Sequence, residues 1–372
     1  MYFPAADPTE WERRDPSSLG LDPTALKSAS EFALANDMPW PEDLSTTNVS
    51  DDAPEFASKL GKMRPRGGPA GLILKDGYIV HEWGDVGRVD LTYSATKSYV
   101  ATVAGLAFDA GILKDLDTPV ASDIGDVEIR SVDSGEVLTP FESEHNSKVT
   151  WRHLLQQTSE WEGWLWDRPD TVDWNRTIDQ GGAGVREERK APGAHWEYND
   201  VRVNVCALAL AALIGEPLPD LLRRKVMEPI GASNTWEWHG YRNSTVEING
   251  KRFESVSGGA HWGGGLHINT YDHARFGLLF LNGGEWNGER LVSERWFEMM
   301  REPCDQNSRY GLMWWLNTGG ERNGTEVPET LFSAVGAGGN TINIEPDSGL
   351  VIVTRWCNDV NGVLKRAFQA TG

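Results

Sequence analysis

Leu91-Thr92-Tyr93-Ser94-Ala95-Thr96-Lys97-Ser98-Tyr99-Val100, continuing as ATVAGLAFDAG to Gly111, is the stretch from which the rest of the chain can be read. Small and apolar residues recur at helical spacing from Ser94 to Ala110, and Gly111 closes the run. Ser94 and Lys97 stand three apart, so on a helix both side chains reach one point. A serine hydroxyl is a weak nucleophile and needs a base within hydrogen-bond reach. A buried lysine that gives up its proton is one such base. A serine at a helix start also meets partial positive charge, which favours negative charge developing beside it. Taken alone, the spacing more often means a helix-start serine with a solvent-facing lysine one turn on, so the surroundings decide.

Upstream, AGLILKDGYIVHEWG (70–84) reads as two strands joined at Lys75-Asp76-Gly77, a strong hairpin signal. Before it, 23–35 has helical spacing and 36–68 reads as a long loop. Downstream, Thr150 to Gln157 is a short helix with Thr150 as N-cap. The polar, Trp-rich stretch 158–195 is too long for a passive connection and reads as a lid or cleft wall. Helices are expected from Asp200 to Gly215 and near 217–228, 271–281, 293–301 and 362–370, with a hairpin at Asn249-Gly250. YGLMWWLN, NTINIEP and GLVIVTRW read as strands near the end. The expected fold class is α+β: an antiparallel sheet flanked by helices and built from both chain ends (1–110 and 270–372), with an inserted, mainly helical domain at 111–269.

With 372 residues, 39% hydrophobic and 24% charged, the chain can bury one large or two intimately packed cores. A formal charge of −20 repels phosphate backbones, so nucleic acid is not an expected partner. No window approaches 18 uninterrupted apolar residues, and MYFPAADPTEWERRDP has neither a basic nor an apolar leader region. No membrane partner and a cytoplasmic location are the resulting expectations. Cys206, Cys304 and Cys357 cannot all pair within one chain and read as free thiols. No H-E-x-x-H or clustered Cys/His spacing calls for a metal, and no cofactor is expected. A G-x-S-x-G elbow is absent too, which sets aside an α/β-hydrolase.

In context, LTYSATKSYVATVAGLAFDAG, TWRHLLQQTSEWEG, APGAHWEYND, GGAHWGGGLHINTYDHARFGLLFLNGG and VGAGGNTINIEPDSGLVIV follow one another in an order that resembles the class C branch of the β-lactamase-related serine hydrolases. That branch includes family VIII carboxylesterases and nylon-oligomer hydrolases, and the resemblance spans roughly residues 70–357. It implies that Ser94 attacks a carbonyl carbon, that Lys97 helps to deprotonate it, and that Tyr198, the tyrosine of a Y-x-N motif, moves the proton to the leaving group. It further implies an oxyanion hole from the backbone N–H groups of Ser94 and Ala337, with Gly336 letting backbone approach the substrate.

The chain departs from the family pattern at several places. Gln157 and Glu160 stand where a His and a Gly are usual. Asp200 stands where an Asn is usual; a carboxylate only accepts hydrogen bonds, so it would hold Lys97 as a cation and favour Tyr198 as the base. Which of the two takes the proton stays open. Ala334-Val335-Gly336 replaces K-T-G, removing the cation that receives a β-lactam's carboxylate.

A small, neutral ester or amide is therefore the expected substrate, with carboxylesterase-like chemistry. A β-lactamase or D-Ala-D-Ala peptidase, and a catalytically silent binding homologue, are the alternatives. Seventeen Trp residues support either domain packing or an aromatic-walled cleft. Trp164, Trp166, His261, Trp262, His267 and Gly338 are the candidate substrate contacts. Oligomeric state is not readable.

Overall fold

The computed structural model describes residues 1–47, 54–174 and 188–372. Parts of the expected cleft loops 36–68 and 158–195, namely 48–53 and 175–187, lie outside the described residues.

β1 (Ala70–Lys75) and β2 (Tyr78–Trp83) form the expected hairpin, turning through Asp76 at φ +52° and Gly77 at φ +93°. Two successive left-handed residues give a turn whose twist matches the paired strands, and Asp-Gly tolerates it. Then follow β3 (Asp90–Leu91), β4 (Ile129–Ser131), β5 (Val137–Leu138) and the small hairpin β6 (Trp164–Leu165) and β7 (Arg168–Pro169). Long β8 (Glu237–Ile248) leads to β9 (Lys251–Val256) and β10 (Gly265–Ile268). A second small hairpin, β11 (Glu285–Trp286) and β12 (Glu289–Arg290), precedes β13 (Trp315–Leu316), β14 (Phe332–Gly336), β15 (Asn340–Glu345) and β16 (Leu350–Arg355). The helices are α1 (Pro23–Ala35), α2 (Thr96–Asp109), α3 (Val120–Ile124), α4 (Trp151–Leu155) and α5 (Asp200–Ile214). They continue with α6 (Leu218–Leu222), α7 (Thr270–Leu281), α8 (Glu294–Met299) and α9 (Val360–Gln369).

Six antiparallel strands form the main sheet in the order β13-β14-β15-β16-β1-β2, which joins the first hairpin to the last strand. Leu72 pairs with Val353 and Leu74 with Val351, so alternation sorts both strands the same way. Leu72, Leu74, Ile342, Ile344, Val351 and Val353 pack into the large core on the side of α2 and α7. Ile73, Leu350 and Ile352 face the other way, towards α1 and α9. A Cβ on Gly277 of α7 would lie 2.7 Å from Val351 and 2.8 Å from Ile342, so a side chain there would wedge the helix off the sheet.

The segment 111–269 differs from its expected, mainly helical character. A second sheet runs β3-β10-β8-β4-β5, with β9 also on β8. Its spine, EWHGYRNSTVEI, buries residues on both faces. The strand and turn character of 234–269 is readable in the sequence, and its hairpin turns at Asn249 (φ +51°) and Gly250 (φ +74°). YGLMWWLN likewise contributes only Trp315 and Leu316 as strand, because Met313 at φ +56° breaks the extension. α5 is buried on every side as a central helix, capped by Asn199 and closed by Gly215 at φ +76°. Among the described residues no single helix is long and apolar enough to cross a membrane.

Candidate active site

Ser94 sits in a 3-10 turn, Tyr93–Ala95, that runs directly into α2. Tyr93 holds φ +49°, a sparsely populated region for a bulky residue, and the surroundings over-determine it. Thr92 N–H donates to Leu266 O at 2.9 Å, and Thr96 Oγ1 donates to Tyr93 O at 2.6 Å. Below the turn, His273 bonds Thr92 through Nε2 (2.8 Å) and Tyr99 through Nδ1 (2.9 Å), and burial holds its pKa well below the usual imidazole range. The ring is therefore a neutral strut. Ser94 itself is half-buried, while Tyr93, Ala95 and Lys97 are buried.

The end of β14 lies against this turn. A Cβ on Gly336 would stand 1.9 Å from Thr92 O, so only glycine permits the approach. Asn340 Nδ2 donates to Ala337 O at 2.8 Å, and Arg355 Nε donates to Asn340 Oδ1 at 2.8 Å. Arg355 also bonds Ile268 O and Leu91 O, tying the peptide after Gly336 to both sheets. Gly338 (φ +79°) packs on Trp356, where a Cβ would come within 2.8 Å of the ring.

Lys97 reaches Ser94 Oγ at 2.8 Å, as the one-turn spacing requires. Its ammonium also pairs with Asp200 Oδ1, both side chains being almost wholly buried. Lys97 Nζ stands 4.6 Å from the centre of the Tyr198 ring. Tyr198 is enclosed by Trp315 (5.5 Å), Trp196 (6.1 Å) and Tyr310 (6.2 Å), with Val335 packed alongside. Burial pushes the Tyr310 phenol well above its ordinary pKa, so that wall is neutral. Ser94, Lys97, Tyr198 and Asp200, drawn from α2 and from the start of α5, are thus brought together beside Gly336.

Other sequence candidates land elsewhere. Trp166 and Trp262 are packed in the core, and Trp164 is 65% exposed with its edge on Phe56. His267 was a candidate substrate contact; it is instead fully buried in β10, 5.8 Å from His239, and burial pushes its pKa down to about 3. His261 does not stand apart as a contact residue: Nδ1 lies 3.3 Å from Asp200 Oδ2 and 3.4 Å from Asp173 Oδ1. Its ring stacks on Trp262 at 4.1 Å. Asp173 and the Trp196–Tyr310–Trp315 enclosure were missed, since no periodicity links positions so far apart in the chain. The ligand atoms of Asp173, Asp200 and His261 lie within 4.8 Å of one another, a spacing a cation could use, but the Lys97 ammonium already takes one Asp200 oxygen.

A second buried cluster holds the neighbouring wall. Arg202, on α5, pairs with Glu160 (3.1 Å), Glu197 (2.9 Å) and Asp170 (3.0 Å), and Arg189 pairs with Asp170 at 2.7 Å. Glu160 adopts φ +50° and Gln157 φ +63°. A glycine would take that conformation without strain at 160, and here the ion pair to Arg202 holds a glutamate in it.

The beta-lactamase family model matches residues 90–366 of the chain. The chain is similar to 6-aminohexanoate-dimer hydrolase of Paenarthrobacter ureafaciens, 24% identical over 299 residues that make up 75% of this chain and 63% of that protein. It spans less than two thirds of the length of the curated relatives it matches. In fold it is similar to a penicillin-binding protein homolog from Caulobacter crescentus, with TM-score 0.58, 16% identity and coverage of 95% and 99% of the two chains. A D-stereospecific amidohydrolase from Streptomyces sp. gives TM-score 0.57 at 16% identity, covering 94% of this chain and 100% of that one.

Proposed function

The chain belongs to the beta-lactamase family, a family of serine hydrolases that includes esterases and amidohydrolases, and from that premise we propose that it cleaves a small ester or amide through an acyl-enzyme on Ser94. The observation that carries the reading is the Lys97 ammonium, which stands 2.8 Å from Ser94 Oγ and 4.6 Å from the centre of the Tyr198 ring.

The Asp200 carboxylate beside Lys97 favours Tyr198 over Lys97 as the group that takes the proton. Ser94 Oγ attacks the carbonyl carbon as its proton passes to Tyr198 in its phenolate form, whose negative charge the Lys97 ammonium offsets. The carbonyl oxygen becomes an oxyanion, held by the N–H groups of Ser94 and Ala337. Collapse breaks the bond to the leaving alcohol or amine, which takes the proton from Tyr198. Water then repeats the sequence on the acyl-enzyme and releases the acid.

Ala334-Val335-Gly336 lies on β14, beside the Ser94 turn, and offers no cation. That supports a neutral substrate over a β-lactam. A panel of a nitrophenyl ester, an anilide and nitrocefin tests the reading. Turnover of ester or anilide that falls to background in Ser94→Ala is expected. Nitrocefin as the best substrate would move the assignment to a β-lactamase, and no turnover of any of the three would favour a silent homologue.

A further inference from the structure

Asp200 does not face Lys97 alone. Its Oδ1 takes the ammonium, while its Oδ2 lies 3.3 Å from His261 Nδ1, which is also 3.4 Å from Asp173 Oδ1. Asp173 Oδ2 in turn accepts the Asp200 backbone N–H at 2.7 Å. Asp173, Asp200 and His261 are all buried. Carboxylate oxygens only accept, so a ring nitrogen set between two of them carries a hydrogen. A bare nitrogen lone pair there would face two negative oxygens in a medium that screens poorly. Stacking on Trp262, with an interplanar angle of 2°, fixes the plane of the ring.

We propose that His261 is a positioning residue of the active site, whose Nδ1–H pins the Asp200 carboxylate between itself and Asp173 so that Oδ1 stays turned to Lys97. It acts on Ser94 only through Asp200 and Lys97, and so rests on the reading of Ser94 as nucleophile. Two groups meet His261 Nδ1 directly, and three more charged or titratable groups stand behind them or against Trp262. Asp173 lies in the turn before residue 174, Asp200 on α5, and Lys97 on α2 behind Asp200. From β8, the buried Tyr241 phenol, raised above its ordinary pKa by burial, is bonded to Asn204 and Ser257. From β7, the Arg168 guanidinium stands 5.2 Å from the Trp262 ring centre. Losing the Nδ1–H leaves two carboxylates unshielded behind Lys97. The added negative charge opposes a phenolate at Tyr198, so activity should need a higher pH to develop.

His261→Phe keeps a flat ring on Trp262 and removes the donor. It is expected to lower kcat by about 10–100-fold with little change in KM, since a small misplacement of a catalytic group has that cost. The pH at half-maximal kcat should rise by about one unit, the scale of a nearby charge effect. His261→Asn, which returns an N–H donor near the same place, should recover kcat to within about 5-fold of wild type. Wild-type kcat and pH profile in His261→Phe would overturn the proposal. Equal impairment of both variants would also overturn it, by assigning the residue to packing. A substrate-free measurement separates this from failure of the hydrolase reading: 15N-edited NMR of the His261 ring in the resting protein. A hydrogen on Nδ1 is expected, and a bare Nδ1 would overturn the proposal whatever the enzyme hydrolyses.

Discussion

Asp200 and Arg202 stand two residues apart on the first turn of α5, and each enters a different buried cluster of charge. Asp200 faces Lys97, His261 and Asp173, and that cluster ends on Ser94, the half-buried member. Arg202 faces Glu160, Glu197 and Asp170 and ends on backbone, through Nε to Trp161 O. Desolvating charge costs several kcal/mol per ion before pairing recovers it, so neither cluster is a cheap way to stabilise a fold. The difference lies in what the charge touches. One cluster delivers an ammonium to a half-buried hydroxyl. The other fixes the shape of the wall, holding 160–170 and the residue next to Tyr198 in place.

The comparison can be broken from the wall side first. Arg202→Met should destabilise the protein by about 3–5 kcal/mol, because it strands buried carboxylates. Urea unfolding reads this, and a loss under about 1 kcal/mol would mean the wall does not depend on its ions. Turnover by the folded fraction should fall by less than about 10-fold. From the catalytic side, Tyr198→Phe should lower kcat by about 100- to 10,000-fold, the usual range for a lost acid–base group, while shifting stability little. Comparable kcat losses in these two variants would erase the distinction between the clusters.

A smaller effect is expected at Gly336→Ala. The new methyl meets Thr92 O and must push β14 off the Ser94 turn, so kcat should drop about 100-fold through the displaced oxyanion donor. An unchanged kcat would detach β14 from the site.

A last test asks what a buried ionisable group costs without a cluster. Among the described residues neither ring nitrogen of His267 has a hydrogen-bond partner, and burial pushes its pKa down to about 3 from an ordinary 6.5. Between those values the unfolded chain binds the extra proton. The stabilising contribution is therefore complete above about pH 6.5 and is lost as pH falls towards 3, at about 1.4 kcal/mol per pH unit. His267→Phe should flatten the decline of stability between pH 6.5 and 4 by that slope, measured by urea titration at several pH values. An unaltered slope would place the titration elsewhere.

The catalytic cluster was more legible in the sequence than the wall, for physical reasons. Ser94 and Lys97 lie one helical turn apart, so spacing places that pair, whereas Tyr198 and Asp200, which flank the Asn199 cap of α5, are placed by the resemblance of APGAHWEYND to the family's motif. The main sheet was legible because short apolar runs such as AGLILK and LVIVTR are bounded by turn residues, the first of them Asp-Gly. Asp173, His261 and Trp315 reach the site from separate loops, and only three-dimensional packing relates them. His267 was misread because a histidine near a glycine-rich turn looks the same in sequence whether its strand is buried or lines a cleft. Most of the tryptophans proved to be packing residues: Trp161, Trp166, Trp236 and Trp262 are buried, and Trp164 stands out in solvent.

Whether one oxygen atom carries the acyl group can be settled by quenching the enzyme during turnover of a slowly hydrolysed ester. Intact-mass and peptide-level mass spectrometry then locate the adduct. A gain equal to the acyl group on the peptide bearing Ser94, absent in Ser94→Ala, is predicted. Turnover with no adduct on Ser94, or undiminished turnover by Ser94→Ala, would contradict the account.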